Sequence, residues 1–251
     1  MTSFATASDG VKLAYECVGE GESVMLVHGF ASSRAQNWRA TGWYDTLGHA
    51  GYRVVAMDCR GHGESGKPLD PAAYDHAIMM EDIATVMRAA DAARAFVMGY
   101  SMGGYISMHL LLAHPELVKK LVVGGVGATY LEGQFGSRDV IADALLAPDK
   151  TKIANPIARR FRDFAEQDGK DITALAACMR ANRRVLSASE LSRSTRPVLV
   201  VCGENDDLTG PPGPLAAAFA NGRAVTIPRR DHMTAVGDKL YKKVVLEFLA
   251  G

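Results

Sequence analysis

Six short apolar runs, separated by stretches of helical pattern, constrain this chain more than any other feature in it. They are "SVMLVHG" (23–29), "RVVAMD" (53–58), "AFVMGY" (95–100), "KLVVGGV" (120–126), "PVLVVCG" (197–203) and "RAVTIP" (223–228). Apolar runs of this length without alternation suit strands buried on both faces, as in a parallel sheet. Parallel neighbours need long crossovers, and helical stretches at roughly 35–50, 77–91, 102–114, 213–220 and 238–249 can supply them. The last carries Leu240, Val244, Leu246 and Leu249 near one helical stripe. "FATA" and "KLAYECVG" near the start read as an antiparallel pair. The expected fold class is α/β, a mostly parallel sheet with helices on both faces.

One segment interrupts this rhythm. From about Ala128 to Arg196 no run reads as a strand, while "DVIADALLA", "IANPIARRFRDFAEQ" and "DITALAACMRANRRVLS" read as helices. Such a stretch is too long for one crossover. It predicts a helical cap over the end of the sheet at 128–196, with 1–127 and 197–251 forming the core. Ile153, Ile157, Phe161 and Phe164 fall on one helical face. They are either the lining of a pocket or packing within the cap.

Composition narrows the partners. Lysine plus arginine balances aspartate plus glutamate, 28 against 28, so no basic field invites nucleic acid. "MTSFATASDGVKL" lacks the basic start and apolar core of a secretory leader, and no run approaches a membrane span. Cys17, Cys59, Cys178 and Cys202 are widely spaced and are expected to be reduced thiols, which points to the cytoplasm. The expected partner is a small-molecule substrate, and the expected state is a monomer or small homo-oligomer.

The chemistry concentrates at "FVMGYSMGGYIS" (96–107), where a buried strand runs into G-x-S-x-G and an apolar helix leaves it. A tight strand-to-helix turn there aims Ser101 out of the carboxyl end of the sheet. A serine hydroxyl needs a base, and the base needs an orienting acid. In the chain order Ser, acid, His, the only histidine past residue 114 is His232, in the loop after the last strand run. "GENDD" after 197–203 offers the acid, with Asp206 preferred and Asp207 in reserve. The backbone N–H of Met102 and that of Phe30, after "LVHG", would hold an oxyanion. His28 is expected to shape that loop.

Other motifs carry less. "GHGESG" (61–66) matches a dinucleotide-binding turn, but "KPLDPAAY" follows where a helix is required. His109 and His114 share a helix without partners at ligand spacing, so no metal site is expected.

Taken in order, "LVHGF", "DCRGHGES", "GYSMGG", "GENDD" and "DHM" resemble the α/β-hydrolase superfamily over nearly the whole chain. The resemblance implies an eight-stranded sheet, a variable helical cap and no cofactor. It also implies Ser101, Asp206 and His232 as a catalytic triad, with Phe30 and Met102 as oxyanion donors. Members resembling dehalogenases and epoxide hydrolases carry aspartate where this chain has Ser101. Hydrolysis of a carboxylic ester with a small, mainly apolar substrate is therefore expected. Lactone or enol-lactone hydrolysis, carbon–carbon bond hydrolysis and perhydrolysis share the same residues. A slow-turnover signalling receptor of the same fold is the reading outside enzymology.

Overall fold

A computed structural model of the chain describes residues 1–133 and 138–251. Its strands are β1 (Ser3–Thr6), β2 (Lys12–Val18), β3 (Glu22–Val27), β4 (Tyr52–Met57), β5 (Ala95–Tyr100), β6 (Val118–Gly124), β7 (Val198–Gly203) and β8 (Gly222–Ile227). They form one sheet in the order β1-β2-β4-β3-β5-β6-β7-β8. β1 pairs antiparallel with β2 and β2 with β4, and all other neighbours are parallel. The helices are α1 (Trp43–His49), α2 (His76–Ala89), α3 (Met102–Ala113), α4 (Ala128–Leu131), α5 (Arg138–Leu146), α6 (Pro156–Ala165), α7 (Ile172–Arg180), α8 (Ala188–Leu191), α9 (Gly213–Ala217) and α10 (Lys239–Ala250).

Side-chain alternation along the central strands divides the core into two layers. In β5, Ala95 and Val97 join Ile83 of α2 and Ile106 of α3, while Phe96, Met98 and Tyr100 join Trp43 of α1 and Tyr241 of α10. β3 and β7 divide in the same way. Polar side chains set where helices begin. Asp75 accepts from Ala77 N–H ahead of α2, and Asp238 accepts from Leu240 N–H ahead of α10.

The topology fixes where a site can lie. From β3 the chain moves outward to β4, then crosses back to β5 on the other side of β3. The loops leaving β3 and β5 therefore diverge, opening a crevice at the strands' carboxyl ends. Above it, α5, α6 and α7 share with Ala31 of the loop after β3 an apolar cluster that includes Ile141, Leu145, Ile153 and Leu175.

Several sequence expectations shift. The helix expected over 35–50 breaks at Gly42, whose φ of 76° is left-handed, so α1 starts only at Trp43. The stretch expected as helix to Ser187 stops at Arg180, and Ala181 is extended. Ile153 does not share a helix with Ile157: it precedes α6 and is buried in the cluster that α5, α6 and α7 share. In α10, Leu240 is exposed, and Tyr241 and Val245 are buried beside Val244 and Leu249. All four cysteines are unpaired. "GHGESG" folds around Asp58, which accepts from the Arg34 and Glu64 amides. No helix among the described residues is long and apolar enough to cross a membrane.

Candidate active site

Glycines make the turn after β5 possible. A side chain at Gly99 would strike the carbonyl of Gly103, and one at Gly103 would strike the carbonyls of Val27 and His28. The chain can thus pass within backbone contact of β3. Between these glycines Ser101 takes φ 53° and ψ −115°, a conformation that costs a non-glycine residue about 1–3 kcal/mol. Hydrogen bonds on either side hold it: Ser101 N–H donates to Gly124 C=O (2.7 Å), and Tyr105 N–H donates to Ser101 C=O (2.9 Å). Ser101 occupies the N-cap position of α3, where a serine hydroxyl ordinarily accepts from the helix, but it makes no such bond.

The hydroxyl turns instead to His232, with Oγ 3.0 Å from Nε2. On the far side of the ring, Nδ1 lies 2.8 Å from Asp206 Oδ2. A carboxylate only accepts, so Nδ1 carries the proton and donates it, leaving Nε2 to accept from Ser101. Asp206 Oδ1 accepts from the Leu208 and Thr209 amides at 3.1 and 3.2 Å. Burial works against the charged form of Asp206. The bond and charge of His232, with these amides, outweigh it and hold the carboxyl below its ordinary value. Tyr100 Oη, buried, donates to His232 C=O at 2.6 Å and pins the histidine loop to β5. Asp231 accepts from the Met233 and Thr234 amides and shapes the same loop.

Of the two loop acids, the structure brings Asp206 to His232. Asp207 is exposed and pairs with Arg160 at 2.9 Å. Phe30 and Met102 flank Ser101 at the mouth of one cavity. A Cβ on Gly29 would sit 3.4 Å from that of Ser101, so the β3 loop passes directly beside the serine. Among the described residues, no acceptor pairs with the amide of Phe30 or of Met102. His28 is fully buried. Its Nε2 accepts from Cys59 N–H (3.0 Å), so Nδ1 donates to Gly29 C=O (2.7 Å), and burial pushes its pKa from 6.5 to about 4. It stays neutral and fixes the peptide that carries the Phe30 amide.

Ser101 and His232 open onto two connected spaces. One, of about 600 Å³, runs past Met102, Tyr105, Arg138, Ile141, Met179 and Arg183. The other, of about 450 Å³, lies on the α6 side past Asn37, Thr41, Phe164 and Val236. Ile157 and Phe161 line both. Sequence reasoning missed Tyr100, Arg138 and Arg183. Tyr100 carries a signal, a large polar residue in an otherwise apolar strand next to the glycine turn. The two arginines carry none.

Comparison with known proteins agrees with this fold. The family described as alpha/beta hydrolase fold matches residues 22–131. A protein of Variovorax paradoxus (strain S110) assigned as the carbamate hydrolase RutD is 30% identical over 95% of this chain and 96% of its own length. The crystal structure of a hydrolase from Pseudomonas aeruginosa PA01 superposes with a TM-score of 0.81 at 28% identity, covering 100% of this chain and 98% of that one. An esterase from Exiguobacterium antarcticum superposes at 0.82 over both whole chains, and its 22% identity makes this a likeness of fold.

Proposed function

We propose, since the chain belongs to the α/β-hydrolase superfamily, that it is a serine hydrolase that cleaves small carboxylic esters through an acyl-enzyme. The observation that carries this reading is the unbroken relay from Ser101 Oγ through His232 to the buried Asp206, at 3.0 and 2.8 Å, on a strained turn.

In the proposed cycle, Ser101 Oγ attacks the substrate carbonyl and passes its proton to His232 Nε2. Asp206 holds Nδ1–H and stabilises the imidazolium. The oxyanion rests against the Phe30 and Met102 amides, both without an acceptor in the chain. His232 then protonates the departing alcohol. Water, deprotonated by the same nitrogen, attacks the acyl-enzyme, and serine is released. Every step uses only groups of this chain, the substrate and water. Carbamate cleavage, to which the Variovorax relative's name points, would begin with the same attack on a carbonyl.

The test is hydrolysis of p-nitrophenyl acetate, butyrate and octanoate and of a p-nitrophenyl carbamate by the wild type and Ser101→Ala. Multiple turnover is expected, with ester preferred to carbamate and a loss of several orders of magnitude in the variant. Turnover that survives in Ser101→Ala would overturn the mechanism, and none with any substrate would overturn the activity.

A further inference from the structure

We propose that the substrate of the Ser101 site carries a carboxylate, and that Arg138 and Arg183 bind it at the insertion end of the larger cavity. This rests on the serine-hydrolase reading above and names the class of substrate.

The argument begins with where this protein puts its other buried arginines. Arg34 pairs with Asp58 and Glu64, and Arg60 with Asp82 and Asp9. That is the ordinary outcome, since an uncompensated charge away from water is costly. Arg138 and Arg183 depart from it. Both are half-buried, both line the cavity that holds Ser101 and His232, and neither forms an ion pair among the described residues. Asp207 lines the same cavity, but Arg160 engages it.

The two guanidiniums converge on the end of α7. Arg138 Nη2 donates to Cys178 C=O (3.1 Å) and Met179 C=O (2.6 Å). Arg183 Nη2 lies 3.6 Å from Cys178 Sγ, and its Nη1 donates to Tyr74 C=O (3.3 Å). Cys178 Sγ in turn lies 3.9 Å from Met102 Sδ. Cys178 and Met102 thus stand between Arg183 and the residue next to Ser101. These contacts fix the arginines' positions and leave their charge unneutralised. Burial, and after it the nearby Arg183, lowers the pKa of Arg138 to about 10. Arg138 Nε and Nη1 and Arg183 Nε have no hydrogen-bond partner among the described residues. A carboxylate would neutralise the pair and accept from these donors, the task for which the guanidinium fork is suited. Ile141 and Met179, which line the same cavity, would meet the apolar body of such a substrate.

The experiment compares mono-p-nitrophenyl glutarate with p-nitrophenyl butyrate, which present the same reacting ester with and without a remote carboxylate. The wild type is expected to favour the glutarate ester in kcat/KM by about tenfold or more. Arg138→Met and Arg183→Met are each expected to cut that preference by about 10- to 100-fold, and Arg138→Lys to keep part of it. A purely structural arginine would lower both rates and leave their ratio alone. Butyrate turnover with no preference for glutarate, or a preference unchanged in both Met variants, overturns this proposal and leaves the serine-hydrolase reading standing. Turnover of neither ester overturns that reading. Calorimetric titration with glutarate then judges the arginines alone. Binding to the wild type that is lost in the double Met variant upholds them, and no binding or equal binding overturns them.

Discussion

Two adjacent aspartates in one loop have opposite surroundings here. Asp206 has its side chain removed from water and is bonded to His232 and two amides, whereas Asp207 is exposed and paired with Arg160. Asp206→Asn is expected to lower kcat by about 10³- to 10⁴-fold, because an amide can present its own N–H to Nδ1 and so favour the wrong tautomer. Asp207→Asn breaks one exposed ion pair and is expected to change kcat/KM by less than tenfold. Equal losses in steady-state kinetics would sink the assignment of the acid. Ser101 and His232 were legible in the sequence because each sits at a fixed place relative to a strand. The order of the two aspartates was open because both lie within reach of the same strand end, and only the turn at Asp206–Thr209 decides which faces inward. Arg138 and Arg183 were illegible for a different reason: they stand 45 positions apart in a region without strand landmarks.

At the scale of elements, the meeting of β3, β5 and α3 sets the tolerances of the site. Gly103→Ala would drive a methyl into the carbonyls at the end of β3, which cannot move without moving the Phe30 amide. A stability loss of about 1–3 kcal/mol in urea denaturation is expected, together with loss of most esterase activity. At Gly104 the nearest obstacles are the Val126 side chain at 3.1 Å and the Gly99 carbonyl at 3.2 Å, so Gly104→Ala should cost less. The reverse order would show that the close approach at Gly103 is not what limits the turn. The central strands β3 to β7 were readable from apolar runs, because burial on both faces leaves little room for polar residues, whereas β8, expected to be buried, lies at the sheet's edge and is mostly exposed. Helix ends were less readable. Gly42 halts a pattern that composition would continue, and α7 stops at Arg180 although the residues that follow remain compatible with a helix.

For the molecule as a whole, buried histidines govern the response to acid. Burial is the leading cause that lowers His28 and His109 to about 4 and His62 to about 3. Below 6.5 the unfolded chain therefore takes up protons that the folded chain refuses. The stability these groups contribute is present above 6.5 and is lost as pH falls toward 4. For His28 alone that loss approaches about 3 kcal/mol. Asp82 acts in the opposite sense: burial raises it to about 6 against the pull of Arg60, so the folded state takes up one proton between 3.8 and 6. His114, raised by its bond to Glu81, acts in the same sense as Asp82. Three sites against two therefore predict that the urea midpoint falls from pH 7 to 4.5, and that His62→Gln flattens the slope by about one proton. A midpoint independent of pH over that range would refute this account.

The apolar cluster shared by α5, α6 and α7 has a further consequence. Ser101, Asp206 and His232 hang from the ends of β5, β7 and β8, whereas Arg138, Ile157 and Phe161 belong to α5 and α6. On the proposed mechanism, the groups that break the bond and part of the wall that meets the substrate are thus written on separate stretches of chain. Descendants of such a protein can exchange their diet by rewriting one stretch while inheriting the other intact.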